Sequence, residues 1–223
     1  MEQALARPGS FRDGDVFRVG MPRTDLSVTV KGVPVKAGFA LGSYAAFKQM
    51  GDHAMVMGDL VLLDQEVPAV MSGLFSGGLE VTAVHNHVNG DLATRDVHAL
   101  RRTRRRAAAR ESLAPGALGE RDAARRRRPT RRGRRAHHRH EEIERALGRP
   151  GRDLGAGVFQ VTVPRAEAIT ENGMPLLPAM GVVTVLNFQA LADGKAAITG
   201  DFVLLDQEVN PVARMLHGST AST

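Results

Sequence analysis

The chain has 223 residues, no cysteine and a formal net charge of +6. This length allows one large or two small domains, and the lack of cysteine excludes disulfides, thiolate metal sites and cysteine redox chemistry. No stretch approaches the ~18 apolar residues that span a membrane. The first residues, MEQALARPGSFRDG, contain no apolar signal-peptide core. We therefore expect neither a transmembrane segment nor a signal peptide in the chain as written.

The basic charge is confined to one segment. Residues 95–139 hold 17 arginines and four acidic residues, so the rest of the chain is net acidic. Such a run of like charge favours a solvated arm that contacts phosphates without sequence preference. The segment has no aromatic residue that could stack on bases. Nucleic-acid binding through 95–139 is therefore kept only as an alternative.

An internal repeat organises the chain. GDLVLLDQEV at 58–67 recurs as GDFVLLDQEV at 200–209, and EQALARPG at 2–9 recurs as ERALGRPG at 144–151. Three separate blocks share this repeat offset, since Pro22-Arg23 also recurs as Pro164-Arg165. Self-similarity at one fixed offset indicates a tandem duplication. The second unit is expected to be truncated, because the counterpart of LEVTAVHNHV would extend beyond Thr223.

In chain order, the first unit begins as a meander of antiparallel strands. LSVTV and VPVKA flank Lys31-Gly32, and SYAAFKQ and HAMVMGDLVLL flank Met50-Gly51-Asp52. Short polar or glycine-containing turns between apolar runs predict β-hairpins.

A helix and a further strand follow the meander. EVPAVMSGLFSGG has Pro68 near a helix start and Gly77 placed to end it. In the second copy, Asn210-Pro211 predicts the equivalent start. LEVTAVHNHV then predicts a buried strand. The fold class is therefore α+β, with two homologous units of antiparallel strands plus a helix. The predicted division is 1–90, an arginine-rich segment at 91–140 that is disordered or out of frame, and 141–223.

His85 and His87 form a candidate metal site. Side chains alternate along a strand, so two residues apart they share a face, about 7 Å from each other at ~3.4 Å per residue. Two imidazoles can bind a divalent ion such as zinc if a third ligand comes from elsewhere. Two polar histidines at a strand end are the simpler interpretation. A metal therefore stays one of two interpretations here.

Three carboxylates are candidates for a third ligand, namely Asp59, Asp64 and Glu66. They recur in the second copy as Asp201, Asp206 and Glu208, where the histidines have no counterpart. Acidic residues at a strand-to-helix connection also stabilise the helix N-terminus. Glu66 is in addition a weak candidate for a general base beside a metal-bound water. The recurring arginines Arg23 and Arg165 could present a guanidinium to an anionic ligand, but a strand-end arginine more often pairs with a carboxylate, and this pairing is expected here.

Three stretches resemble a known family. VFRVGMPRTDLSVTVKGVPVKAG, AMVMGDLVLLDQEV and GLEVTAVHNHV resemble the LppY/LpqO lipoproteins, a bacterial family of unknown function built from two such units. The resemblance covers roughly 2–90 and 143–216 and implies a secreted or cell-envelope protein. In that family, His-Asn-His is followed by a segment of the type S-P-R-V-M-Y-M-H-x-x-G-H-G. Its two further histidines would complete a metal centre with His85 and His87, and its strand would pair with the His-Asn-His strand.

The chain departs from the family after the His-Asn-His. With third bases chosen freely, codons for residues 91–105 read in the next frame as T-S-P-R-V-M-Y-M-H-Y-A-G-H-G. A sequence rich in arginine and alanine and without aromatic residues is typical of a GC-rich gene that is read out of frame. We therefore expect a frameshift near Asp91, with the frame recovered before EEIERALGRPG at 141–151.

These patterns support several functions. The first is an uncharacterised LppY/LpqO-like envelope protein that binds a divalent metal at a partly lost histidine site. The alternatives are a structural or ligand-binding envelope module without metal, and a nucleic-acid-binding protein. Whether the chain is an enzyme stays open.

Overall fold

The computed structural model describes residues 2–88, 94–103, 131–171 and 173–220. The helices are α1 Glu2–Leu5, α2 Ala37–Ala40, α3 Val67–Ser76, α4 Arg131–Leu147 and α5 Asp206–Thr220, with short 3-10 helices at Pro178–Met180 and Ala192–Gly194. The strands are β1 Gly9–Arg12, β2 Val16–Pro22, β3 Val28–Val30, β4 Val33–Val35, β5 Gly42–Met50, β6 His53–Leu63, β7 Glu80–Val88, β8 Thr94–Thr103, β9 Gly151–Gly155, β10 Val158–Pro164, β11 Ile169–Glu171, β12 Met174–Leu176, β13 Val183–Ala190 and β14 Ala196–Asp201.

Two antiparallel sheets, each followed by a helix, confirm the α+β prediction. The first unit has a six-stranded sheet of order β1-β2-β5-β6-β8-β7, and the second a four-stranded sheet of order β14-β13-β10-β9. A two-stranded hairpin accompanies each sheet, β3-β4 in the first unit and β11-β12 in the second. Element by element, β9 to β14 repeat β1 to β6, and α5 repeats α3. The duplication read from the sequence is therefore a duplication of structure.

The predicted hairpins are present. β3 and β4 pair antiparallel around Lys31 and Gly32, whose φ angles are +48° and +77°. Two successive positive φ angles are typical of the tight turns that join twisted strands, and the glycine adopts its angle without steric cost. β5 and β6 pair in the same way around the turn at Gly51.

The predicted helix start is correct for α3 and wrong for α5. α3 has Pro68 in its first turn and ends at Gly77, as expected. The prediction for α5 was wrong, because that helix begins at Asp206 and Pro211 lies inside it. Asp206 and Glu208 lie in its first turn, where acidic side chains favour the helix dipole. This first turn therefore extends the helix ahead of Pro211, which lies in the second turn and cannot donate a backbone hydrogen bond to residue 207.

The strand containing His85 and His87 forms as predicted, but the expectation that it is buried was wrong. β7 is the last strand of its sheet, and most of its residues are exposed, including Val84 at 45%. Side chains at the edge of a sheet have neighbouring side chains on one side only, so they are more exposed than those of a central strand. β8 pairs with β7 on one side and with β6 on the other. The His-Asn-His strand therefore has a neighbour in the sheet of this chain, which is β8.

The first sheet packs on both faces. One face meets α3 in a core that includes Val19, Phe47 and Leu74. The other face meets the second unit, where Val16 and Met55 pack with Met180. Neighbouring residues of one strand serve different cores because side chains alternate between the faces. The two units are thus joined through a shared apolar layer.

Hydrogen bonds reinforce this junction. Gln189, only 2% exposed, accepts from the Lys36 backbone N–H at 3.0 Å and donates to the Pro34 carbonyl at 2.7 Å. Asn187 donates to the Phe39 carbonyl at 2.9 Å. Both amides lie on β13 and reach the backbone around α2. Because buried polar groups need partners, these bonds favour one arrangement of the two units.

The described residues of the segment predicted as 91–140 form β8 and the first part of α4. Residues 104–130 lie outside the described residues, as does most of the arginine-rich tract. Among the described residues, no helix is long and apolar enough to cross a membrane.

Candidate functional site

Arg23 is the centre of a charged cluster in the first unit. It follows β2 directly, and it is only 1% exposed. Its Nε and Nη2 both donate to Asp25 at 2.9 Å, while Nη1 and Nη2 donate to Glu66 at 2.7 and 3.1 Å. Nη1 also donates to the Val61 carbonyl at 3.0 Å. A guanidinium has five N–H donors, so this one is fully used within the protein.

Glu66 is held by the same cluster. One carboxylate oxygen accepts from Arg23 and from the Leu63 backbone N–H at 2.7 Å, and the other accepts from Arg23. The residue immediately precedes α3 and fastens the connection between β6 and α3 to the end of β2. These contacts support a structural role. Action of Glu66 as a general base stays a prediction.

The cluster shifts the pKa values of Arg23 and Asp25. Burial lowers the pKa of Arg23, but hydrogen bonds to Asp25 and Glu66 outweigh it and raise that pKa above the usual value. The hydrogen bond from Arg23 lowers the pKa of the Asp25 carboxyl, and this effect exceeds the opposing one of burial. Both groups are therefore charged at neutral pH and below.

The second unit reproduces the cluster at the repeat offset. Arg165 donates to Glu208 at 3.0 Å through Nη2, to the Val203 carbonyl at 3.1 Å, and to Glu167 at 3.1 Å through Nε. Glu208 also accepts from the Leu205 backbone N–H at 2.7 Å. Hydrogen bonds to Glu208 and Glu167 raise the pKa of Arg165 above its usual value. The pairing of both recurring arginines with carboxylates, expected from the sequence, is confirmed.

The candidate metal ligands lie on β7, where His85 is exposed and His87 is half-buried against the Ala40 carbonyl. Asn86 pairs with Arg95 and Val88 with Thr94, so His87 is an extra residue in a β-bulge. A bulge interrupts strict alternation, so the argument that places His85 and His87 on one face does not apply at this point.

The carboxylates proposed as third ligands lie on other elements. Asp59 lies in β6 opposite Tyr44, and Asp64 is exposed after the end of that strand. In the second unit, Asp201 and Asp206 are both exposed. Within 2–88, 94–103, 131–171 and 173–220, no group of three or more histidine, aspartate or glutamate side chains could hold a metal ion.

A large cleft lies between the two units. Two adjoining pockets of about 1100 and 530 Å³ share four lining residues, Arg12, Arg18, Arg152 and Gln160. Further polar side chains line it from both units, including Ser10 in the first and Thr162 in the second. A volume of this size is ample for a small molecule. Within the part of the chain that the structure describes, we therefore take the cleft as the candidate binding site.

The duplication builds this cleft from the same positions of both units. Ser10 of β1 pairs with Arg18 of β2, and Arg152 of β9 pairs with Gln160 of β10. At the repeat offset, Arg152 is the counterpart of Ser10, and Gln160 is the counterpart of Arg18. Each unit therefore supplies one arginine and one neutral polar residue from a matching cross-strand pair.

Arg18 is the most constrained of these side chains. Its Nη1 donates to the Ala179 carbonyl at 3.0 Å, and its guanidinium lies 3.6 Å above the centre of the Tyr44 ring. Burial lowers the pKa of Arg18, and Arg12 and Arg152 lower it further, while Tyr44 and Asp59 raise it. Stacking on an aromatic ring fixes the plane of the guanidinium. Arg18 is thus held in place at the junction of the two units.

Comparison with known families matches the chain to a domain family. Residues 1–92 and 141–221 match the model of a family described as Domain of Unknown Function (DUF1259). The chain belongs to this family. No curated protein and no solved structure matches it.

The DUF1259 match leaves out residues 93–140. Sequence reasoning about this family member missed the cleft and the role of Asp25. A signal for Asp25 was available, because Glu167 repeats its acidic charge at the repeat offset. For the cleft, the available signal was the exchange of Ser10 for Arg152 and of Arg18 for Gln160 between the copies.

Proposed function

We propose that this DUF1259 protein is a ligand-binding module whose binding site is the cleft between its two units. The observation that carries the proposal is the cleft itself, which both units line with cross-strand pairs at matching positions. Binding sites are commonly concave and lie where two structural units meet. Catalysis is not part of the proposal, because the contacts of Glu66 account for both of its carboxylate oxygens.

Retention of small molecules tests this proposal directly. The protein is dialysed to equilibrium against a defined mixture of sugars, sugar acids, sugar phosphates, amino acids and organic acids, and retained compounds are quantified by mass spectrometry. Thr162→Trp places a bulky side chain in the cleft from an exposed position on β10. Thr170→Trp is the matched control, since Thr170 is exposed on β11 and does not line the cleft.

The expected result is at least one compound retained by the wild type and by Thr170→Trp but lost by Thr162→Trp. If no compound is retained, or if both variants retain the same compounds as the wild type, the cleft is not the binding site for any of these classes.

The sequence motifs also lead us to propose an LppY/LpqO-like protein of the cell envelope. The support is the resemblance of the three stretches that include the His-Asn-His. Fractionation of the source cells, with detection of the native protein by antibody, tests this location. Recovery with envelope proteins is expected, and recovery with soluble cytoplasmic markers would contradict it.

Metal binding at His85 and His87 is a second proposal. The contact of His87 with the Ala40 carbonyl favours it, because a histidine that binds metal through one ring nitrogen commonly donates from the other to a backbone carbonyl. Calorimetric titration with zinc is the test. Binding that the double variant His85→Ala with His87→Ala abolishes is expected, and equal binding by that variant would overturn the proposal.

We further propose that residues 91–140 are encoded out of frame. The family match supports this, because it covers both flanks and omits residues 93–140. Resequencing the gene from source DNA across codons 85–145 tests it. Bases missing near codon 91 are expected, and a confirmed reading of the arginine-rich tract would overturn the proposal.

A further inference from the structure

Three guanidinium groups converge on the cleft between the units. Arg12 lies at the end of β1, Arg18 in the middle of β2 and Arg152 near the start of β9, and all three line both adjoining pockets. The three groups also lie close enough to interact electrostatically, because Arg12 and Arg152 both lower the pKa of Arg18. Like charges repel, so a protein that brings them together stores unfavourable energy that a bound anion would relieve.

No carboxylate forms an ion pair with any of these three arginines within the described part of the chain. This contrasts with Arg23 and Arg165, whose donors are satisfied by two acidic residues each. Among the residues that the structure describes, Asp13 is the single acidic residue that lines the cleft. The charge lining the cleft is therefore positive on balance.

The central arginine, Arg18, is fixed in position and still has N–H donors for a ligand. Arg18 uses one N–H for the Ala179 carbonyl, and one face of its planar guanidinium lies over the Tyr44 ring. Its other N–H donors are left for a ligand. Arg12 and Arg152 are exposed, and within the described residues no hydrogen bond of their side chains restricts them. A fixed guanidinium flanked by two exposed ones is suited to an oxygen-rich anion, which accepts several charge-assisted hydrogen bonds.

Neutral polar side chains surround the arginines. Ser10 and Ser43 line the smaller pocket, Thr162 lines the larger one, and Gln160 lines both. Such groups donate and accept hydrogen bonds, as hydroxyl groups of a ligand require. From this lining and the three arginines, we infer that the cleft binds an oxyanion carried on a hydroxylated small molecule. This inference rests on the proposed function and adds the chemical class of the ligand.

The test uses three ligands with similar rings and different charge. Glucose is neutral, glucuronate carries a carboxylate, and glucose 6-phosphate carries a phosphate, so the series separates the two sources of an oxyanion. Affinities are measured by isothermal titration calorimetry on the full chain at low and high salt. The affinity for at least one charged ligand is expected to exceed that for glucose and to fall with salt, because screening weakens charge interactions.

Arginine variants connect this affinity to the cleft. The double variant Arg12→Gln with Arg152→Gln removes two exposed charges that make no hydrogen bond within the described protein, so folding is expected to be unchanged. It should weaken binding of the charged ligand at least ~tenfold, as expected for the loss of charge-assisted hydrogen bonds. Arg214→Gln on α5 is the matched control, because Arg214 is exposed and lies outside the cleft lining.

The outcomes separate this inference from the proposed function. If glucose binds as tightly as the charged ligands, or if the double variant binds the charged ligand like the wild type, the inference is wrong. Retention of a neutral compound that Thr162→Trp abolishes would then leave the proposed function standing. If none of the three ligands binds and dialysis retains no compound, both are wrong.

Discussion

Arg23 and Glu66 are joined by two hydrogen bonds, of 2.7 and 3.1 Å, that fasten the start of α3 to the end of β2. The same relationship recurs in the second unit between Arg165 and Glu208. The copies differ in burial, since the Arg23 side chain is 1% exposed and that of Arg165 is 16% exposed. This difference allows one interaction to be compared in two environments within one molecule.

We expect Glu66→Ala to lower the free energy of unfolding by about 3 kcal/mol, because it leaves a buried guanidinium without one of its partners. Glu208→Ala, the equivalent change in the more exposed copy, should have a smaller effect. Urea denaturation of the two variants measures both. Equal losses would show that burial does not set the strength of this cluster.

Stability should depend on pH through Asp25. The hydrogen bond from Arg23 lowers the pKa of Asp25 in the folded state, so the unfolded chain binds more protons as the pH falls. The contribution is therefore complete above the unfolded pKa of about 3.9 and is lost as the pH falls through the lower folded value. Urea denaturation of the wild type and Asp25→Asn should show a stability difference that is constant near neutral pH and shrinks in acid. A difference that grows in acid would contradict the lowered pKa.

Leu74 and Leu216 occupy equivalent positions of α3 and α5 but differ in burial. Leu74 is 1% exposed, whereas Leu216 is 47% exposed. Leu74→Ala should cost about 2 to 5 kcal/mol, since it opens a cavity in a packed core. Leu216→Ala should cost less than about 1 kcal/mol because its side chain is already half in water. Similar losses in thermal or urea unfolding would mean that α5 is packed as tightly as α3.

Gly181 allows the two units to approach each other. Its φ angle is +108°, and a Cβ there would lie 2.8 Å from the Tyr44 Cζ. Gly173 also has a positive φ, of +76°, but a Cβ there would meet no atom within 4 Å. Gly181→Ala should therefore destabilise the protein more than Gly173→Ala, by about 1 kcal/mol or more beyond the backbone cost common to both. Equal unfolding free energies would show that Tyr44 does not pack closely at the junction.

Local features of the fold could be predicted because they depend on neighbouring residues. The turn at Lys31-Gly32 and the end of α3 at Gly77 follow from glycine and flanking apolar runs. The duplication predicted a second unit of the same kind, but the start of its helix at Asn210-Pro211 was wrong. The burial of β7 could not be predicted in this way, because it depends on whether the strand lies at the edge of the sheet.

The candidate site could be predicted only in part, for a similar reason. The pairing of Arg23 with carboxylates follows from its place at a strand end, but Arg18 and Arg152 meet through contact between two units. Contacts between residues so far apart in the chain leave no local pattern in one sequence. The expectation for His85 and His87 depended on strict alternation, which the bulge at His87 interrupts.

The most direct test of the binding cleft is an NMR titration that follows the arginine Nε–Hε signals of the full chain as glucose 6-phosphate is added. The signals of Arg18 and Arg152 are expected to shift together and to saturate, while that of Arg214 stays in place. Unchanged signals of Arg18 and Arg152 under conditions where calorimetry detects binding would place the ligand elsewhere and contradict the account.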